Sequence, residues 1–135
     1  MWHVLGAGAT GCLWSARLAR RIPVQLLLRD QIHRSGHMCI SVSDEFTPER
    51  TRWTQDVPVS DVHADSPIER LLIMTKAHHA VDAVNSLKHR ITPDTLAVLM
   101  SNGMGIAEQL DSLRSKLLIG SSTHGSYIES REGNR

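Results

Sequence analysis

The sequence predicts an α/β fold: a doubly wound, mostly parallel sheet with helices on both faces. Two observations predict it. Short apolar runs at 1–5, 24–28, 71–74, 96–100 and 117–119 alternate with segments whose apolar residues recur at helical spacing. A glycine cluster, Gly6-x-Gly8-x-x-Gly11, stands between the first run and the first helical segment.

Met1 to Leu5 reads as a strand leading straight into the glycines. After them Cys12, Leu13, Ala16 and Ala19 share one helical face, and Arg17, Arg20 and Arg21 supply cations near the C-terminal end, where the dipole favours them. Pro23 stops that helix. Val24 to Leu28 is apolar apart from Gln25 and suits a buried parallel strand. Between Arg29 and Pro67, strands are expected at Met38–Val42 and Val57–Val62. Pro48, Pro58, Pro67 and many Ser, Thr and Asp residues mark loops around them. Leu71 to Met74 is a buried strand ending at Thr75-Lys76. Ala80, Val84, Leu87 and Ile91 are spaced four, three and four, one face of a helix, and Pro93-Asp94 is a break. Leu96 to Met100 is another strand, ending in Ser101-Asn102-Gly103. A short helix follows over Ile106–Leu113, and a last core strand over Leu117–Ile119.

The bulk properties narrow the classes. The 135 residues allow one domain with a real core. A net charge of +1 gives no basic field for nucleic acid or an acidic membrane surface, so a bound anion needs local cations. The two cysteines, Cys12 and Cys39, make no disulfide framework, and a reduced, cytoplasmic protein is expected. No apolar run approaches the roughly 18 residues of a membrane span, and the N-terminus lacks a secretory pattern. Eight histidines invite a metal reading. His78 and His79 are adjacent and diverge on a helix, while His33, His37, His63, His89 and His124 lack ligand spacing with Cys or carboxylates, so no metal is expected. Cys12 reads as a small packing residue, and Trp2, Trp14 and Trp53 show no spacing for base stacking.

The glycine cluster carries the chemistry. In a Rossmann-type unit, the first glycine makes the tight turn out of the strand. The second lets backbone approach a pyrophosphate, and the third lets the helix pack hard against the sheet. The helix N-terminus then presents free N–H groups and the positive dipole end. Here Gly6, Ala7, Gly8, Ala9, Thr10 and Gly11 follow a strand and open a helix, the context this motif requires. At the end of the second strand an acidic residue binds a ribose 2′-hydroxyl, and an arginine accommodates a 2′-phosphate. The sequence places Arg29-Asp30 there. Arg29 comes first and its guanidinium suits a phosphate bidentately, which favours NADP(H). With Asp30 in the working position the preference reverses.

The chain resembles the N-terminal, NADPH-binding domain of the ketopantoate reductase (2-dehydropantoate 2-reductase) family. The resemblance rests on Gly6-Ala7-Gly8-Ala9-Thr10-Gly11, Arg29, Thr75-Lys76-Ala77 and Ser101-Asn102-Gly103-Met104-Gly105, with support from residues 120–124. It implies that Arg29 holds the 2′-phosphate and Lys76 is a second cationic contact. It also implies that Asn102 sits by the nicotinamide and substrate, and that Ser126 lies at a backbone contact to the cofactor. His124-Gly125-Ser126 replaces the small, alanine-like residues of the family there. Residues 1–128 are then an NADP-binding domain, and 129–135 a polar tail or the start of a linker. The family's helical C-terminal domain supplies the proton-donating lysine and an acidic residue near the substrate. No catalytic acid is assigned in this chain, which is expected to bind cofactor without turning over a 2-oxo acid by itself. A separate C-terminal domain or a second copy is the implied protein partner. The alternative reading is a stand-alone module that senses NADP(H) without catalysis.

Overall fold

The computed structural model describes residues 1–29, 36–100, 105–110, 113, 116–122 and 125–128. Its order is β1 (Trp2–Leu5), α1 (Ala9–Ala19), β2 (Val24–Leu28), β3 (His37–Ser43), β4 (Arg52–Asp61), β5 (Ile68–Ile73), α2 (Ala77–Asn85), a 3₁₀ turn (Lys88–Arg90), β6 (Ile91–Leu99), α3 (Ile106–Gln109) and β7 (Leu117–Ile119). The strands form one seven-stranded sheet in the order β3-β4-β2-β1-β5-β6-β7. Every neighbouring pair is parallel except β3 with β4, which form an antiparallel hairpin. The expected doubly wound α/β class is what the chain adopts.

Alternation of side chains across each strand divides the core in two. Val4, Leu26, Val57 and Leu72 pack with Ala16 beneath α1. Leu5, Leu27, Leu71 and Ile73 face the other way, against Ala80, Val84 and Leu87 of the α2 region and Ile106 of α3. Leu26, Ile68, Leu71 and Ile73 are wholly buried, each contributing about 1.5–3 kcal/mol of transfer free energy. Burial on both faces explains the nearly unbroken apolar runs of β1, β2 and β5.

Several boundaries differ from the sequence expectation, each for a physical reason. The α1 helix ends at Ala19, so Arg20 is its C-cap and Arg21 lies beyond it. The β4 strand begins at Arg52 rather than Val57, because its first half pairs only with β3 as a protruding hairpin. Pro58 is tolerated inside it: it stands opposite His37 at a position where the β3 ladder bond runs instead from Val59 N–H to Gly36 C=O at 2.9 Å, and pairing with β2 begins one residue later, at Leu26↔Val59. Helix α2 stops at Asn85, and Ile91 starts β6 rather than continuing that helix. Leu87 and Ile91 still enter the same core, reached through a 3₁₀ turn. Pro93-Asp94 lies within β6, yet pairing is interrupted there: β5 advances from Ile68 to Arg70 while β6 runs from Ile91 to Leu96. The extra residues are tied by Thr95, whose backbone-facing hydroxyl donates to Ile68 C=O at 2.6 Å and accepts from Thr92 N–H at 2.9 Å. The α3 helix spans only Ile106–Gln109, although Leu110 and Leu113 remain buried as expected. Finally, β7 is an edge strand rather than a core strand, with Leu118 and Ile119 exposed.

Candidate cofactor site

The parallel register brings the carboxyl ends of β1, β2, β5, β6 and β7 to one edge of the sheet. Ligands of open α/β sheets bind at that edge. Gly6 follows β1, Arg29 follows β2, and Lys76 follows β5 by way of Met74 and Thr75. Arg29 and Lys76 are both exposed, and Lys76 is the N-cap of α2. Asn102, read as a nicotinamide and substrate contact, lies outside the described residues, as do Asp30 and His124.

Each glycine of the loop has a distinct environment. Gly6 has φ +112°, and an added Cβ would lie 2.8 Å from Thr75 N and 2.9 Å from Met74 C. The turn out of β1 therefore needs glycine for its backbone angle and for close packing on the end of β5. Gly8 is the N-cap of α1 in extended conformation, and nothing lies within 4 Å of where its Cβ would be. That open side is where backbone can meet a ligand. Gly11 is buried, and a Cβ there would run into the Gly6 carbonyl. The motif assigns Gly11 to packing helix on sheet. Its closest contact is the loop itself, with Met74 Cβ next at 3.6 Å.

The α1 N-terminus suits an anion. Its ladder opens with Cys12 N–H donating to Gly8 C=O at 2.9 Å, so the N–H groups of Ala9, Thr10 and Gly11 precede the ladder. Gly8 provides no side-chain cap, and the first turn holds no acidic residue. Ala7, exposed, accepts a weak hydrogen bond from the Cys12 thiol at 3.6 Å. The far end of the described chain also reaches this point: Thr10 Oγ1 and Ser126 Oγ are 3.1 Å apart. Ser126 thus stands beside the glycine loop, across 116 residues of sequence. The neighbouring Tyr127 hydroxyl donates to Glu45 Oε2 at 3.2 Å, beyond the end of β3, a tie with no local signature in the sequence.

Away from this edge, the described residues contain no group of three His, Cys, Asp or Glu side chains arranged to hold a metal. No described helix is long and apolar enough to cross a membrane. Cys39, exposed, lies across from Asp56 in the β3–β4 hairpin, and slight desolvation, then the Asp56 carboxylate, raises its thiol pKa, the opposite of activation.

Comparisons with known proteins bear on the family and the fold. The family model described as "Ketopantoate reductase PanE/ApbA" matches residues 2–133. The 2-dehydropantoate 2-reductase of Shigella flexneri is 34% identical over 134 residues, covering 97% of this chain and 41% of that protein. Among solved structures, D-mandelate dehydrogenase with NADH and anilino(oxo)acetate superposes with a TM-score of 0.77 at 18% identity, over 96% of this chain and 42% of the other. The 2-dehydropantoate 2-reductase of Methylococcus capsulatus gives 0.72 at 20% identity, over 96% and 43%. At those identities the two structures speak for the fold alone. The chain spans about two fifths of the length of the curated relatives it matches, at their N-terminal part. On the family match across nearly its whole length, the chain belongs to the ketopantoate reductase family of oxidoreductases.

Proposed function

We propose that this chain is the NADP(H)-binding part of a 2-dehydropantoate 2-reductase. The observation that carries the reading is the glycine loop: Gly8 is open to an incoming group at the uncapped N-terminus of α1, with Arg29 and Lys76 at neighbouring strand ends. The cradle fits a dinucleotide, because a Cβ at Gly8 would fill the space that its absence leaves for a pyrophosphate.

On this reading the N–H groups of Ala9, Thr10 and Gly11 receive the pyrophosphate. The Arg29 guanidinium takes the 2′-phosphate and Lys76 adds a second positive charge. Asn102 borders the nicotinamide, and Ser126, held by Thr10, closes the loop side of the site. NADPH supplies a hydride for the C2 carbonyl of ketopantoate, giving pantoate for pantothenate and coenzyme A synthesis. The protein's part here is to bind and orient; we assign no general acid among these residues. Residues 1–128 form the nucleotide-binding unit. Residues 1–135 by themselves are expected to bind cofactor without turnover, the protonating lysine coming from a C-terminal helical domain as in the family.

The test is a titration of the chain with NADPH and with NADH, followed by nicotinamide fluorescence, beside Arg29→Ala. Tighter NADPH binding that Arg29→Ala abolishes supports the reading. Folded protein that binds neither dinucleotide overturns it, and preference for NADH would move the ribose contact to Asp30.

A further inference from the structure

Arg90 is the largest wholly buried side chain of the described residues, and the glycine-loop chemistry makes no use of it. It ends the 3₁₀ turn before β6. Its Nε donates to Ser66 C=O at 2.7 Å. One terminal nitrogen donates to Asp61 C=O at 2.9 Å, and the other to Ser66 Oγ at 3.0 Å. The neighbouring His89 ring lies 3.0 Å from Ala64 C=O through Nε2. One short turn therefore grips both ends and the middle of the segment that crosses from β4 to β5. That crossover contains no helix to hold it.

The gripped segment leads directly to the cofactor edge. Asp61 is the last residue of β4 and pairs with Leu28. The next residue, Val62, donates its N–H to Leu28 C=O at 3.1 Å, and its side chain is buried in the core under α2. Leu28 immediately precedes Arg29. The end of β2 is thus fixed on this side by a segment whose own position depends on the guanidinium. Burying a cation is costly unless its donors are satisfied in fixed directions. Burial lowers the Arg90 pKa, with Asp61 and Asp65 opposing that shift. Three separate nitrogens of a planar, five-donor fork reach these acceptors in fixed directions, a geometry that the single nitrogen of an ammonium does not reproduce.

We propose that Arg90 is a positioning residue for cofactor choice: by clasping Asp61 and Ser66 it holds the β2 end so that Arg29 presents its guanidinium to a 2′-phosphate. The proposal rests on the NADP(H) reading above. It predicts a selective defect. NADH lacks the 2′-phosphate, so its affinity is insensitive to where Arg29 points.

The experiment measures dissociation constants for NADPH and NADH in the wild-type chain, Arg29→Ala, Arg90→Lys, Arg90→Met and Ser66→Ala, with folding checked by circular dichroism. Backbone exchange at Val62 is followed in parallel. The expected result is NADPH affinity about threefold to tenfold weaker in the Arg90 variants, unchanged NADH affinity, and faster exchange at Val62. Ser66→Ala, which removes one acceptor and leaves the buried cation, should show a smaller shift in the same ratio. Folded Arg90 variants with the wild-type NADPH-to-NADH ratio overturn the proposal. If those variants do not fold, a wild-type ratio in Ser66→Ala overturns it. If Arg29→Ala leaves the wild-type ratio unchanged, the 2′-phosphate assignment itself has failed. That arm separates the two failures.

Discussion

Alanine at Gly8 and at Gly11 separates the loop's binding role from its folding role. The two sites are three residues apart, yet the structure predicts opposite effects. At Gly8 the backbone is extended, φ −81° and ψ −172°, which alanine adopts freely, and the Cβ enters open space. Loss of a favourable N-cap residue costs at most about 1 kcal/mol, and the stiffer unfolded chain returns about 0.4–1 kcal/mol. Stability should therefore stay within about 1 kcal/mol of wild type. The new methyl occupies the approach to the α1 N–H groups, so NADPH affinity should fall at least tenfold, about 1.4 kcal/mol. At Gly11 the Cβ lands on the Gly6 carbonyl, which belongs to a turn already pressed against Thr75 and Met74. No flexible side chain can yield, so helix and loop must separate, at about 3 kcal/mol or more, the upper range for overpacking. For a domain of this size that lowers Tm by about 10 °C. Thermal melts by circular dichroism and fluorescence titration read the two effects. Gly8→Ala that binds NADPH as tightly as wild type would refute the placement of the pyrophosphate. An unshifted Tm in Gly11→Ala would refute the packing argument.

Two further predictions concern other parts of the molecule. His3 is buried, and its pKa is lowered first by desolvation and then by the charge of Arg90. The folded state thus binds the proton less readily than the unfolded chain, so stability is full above an unfolded pKa of about 6.5 and is lost as pH falls toward the folded value. Urea midpoints should drop between pH 7.5 and pH 5.5, and His3→Gln should reduce that drop; an equal drop in both would assign it to other groups. Ser126→Ala removes the partner of Thr10 Oγ1 in a part-buried contact. It should cost about 0.5–1.5 kcal/mol by denaturant unfolding. It should also speed proteolysis between residues 120 and 128, and unchanged cleavage there would show that this contact does not hold the segment.

Most of the candidate site was legible because a parallel sheet turns sequence order into spatial order. Each apolar run ends at the same edge, so whatever follows a run is brought beside whatever follows its neighbours. Gly6, Arg29 and Lys76 could be placed from that rule without knowing the strand order. The hairpin was half hidden. Trp53, Gln55 and Val57 alternate with exposed neighbours along β4, but Thr54 and Asp56 make the segment look like a loop, and only pairing with β3 makes it a strand. The helical spacing of Ala80, Val84, Leu87 and Ile91 was a real apolar pattern with the wrong cause. All four reach one core, yet Leu87 lies past the end of α2 as the N-cap of the 3₁₀ turn, and Ile91 begins a strand.

Arg90 could not have been found this way. In Lys88-His89-Arg90 it reads as one charge of a solvated run, the ordinary fate of such residues. Its burial follows from two things with no local signature: a crossover between β4 and β5 that lacks a helix, and acceptors at both its ends, the Asp61 carbonyl (which also accepts from Ala64 N–H) and the Ser66 carbonyl and hydroxyl, that converge on one guanidinium. A helix in that crossover would have met its own backbone needs and covered the sheet with apolar side chains. The guanidinium substitutes for the hydrogen bonds such a helix would have made. That substitution makes the end of β2 depend on a residue some sixty positions away, while the glycine loop depends on its own backbone packing. Substitutions at the two places should therefore separate, the first acting on which dinucleotide binds and the second on whether any does.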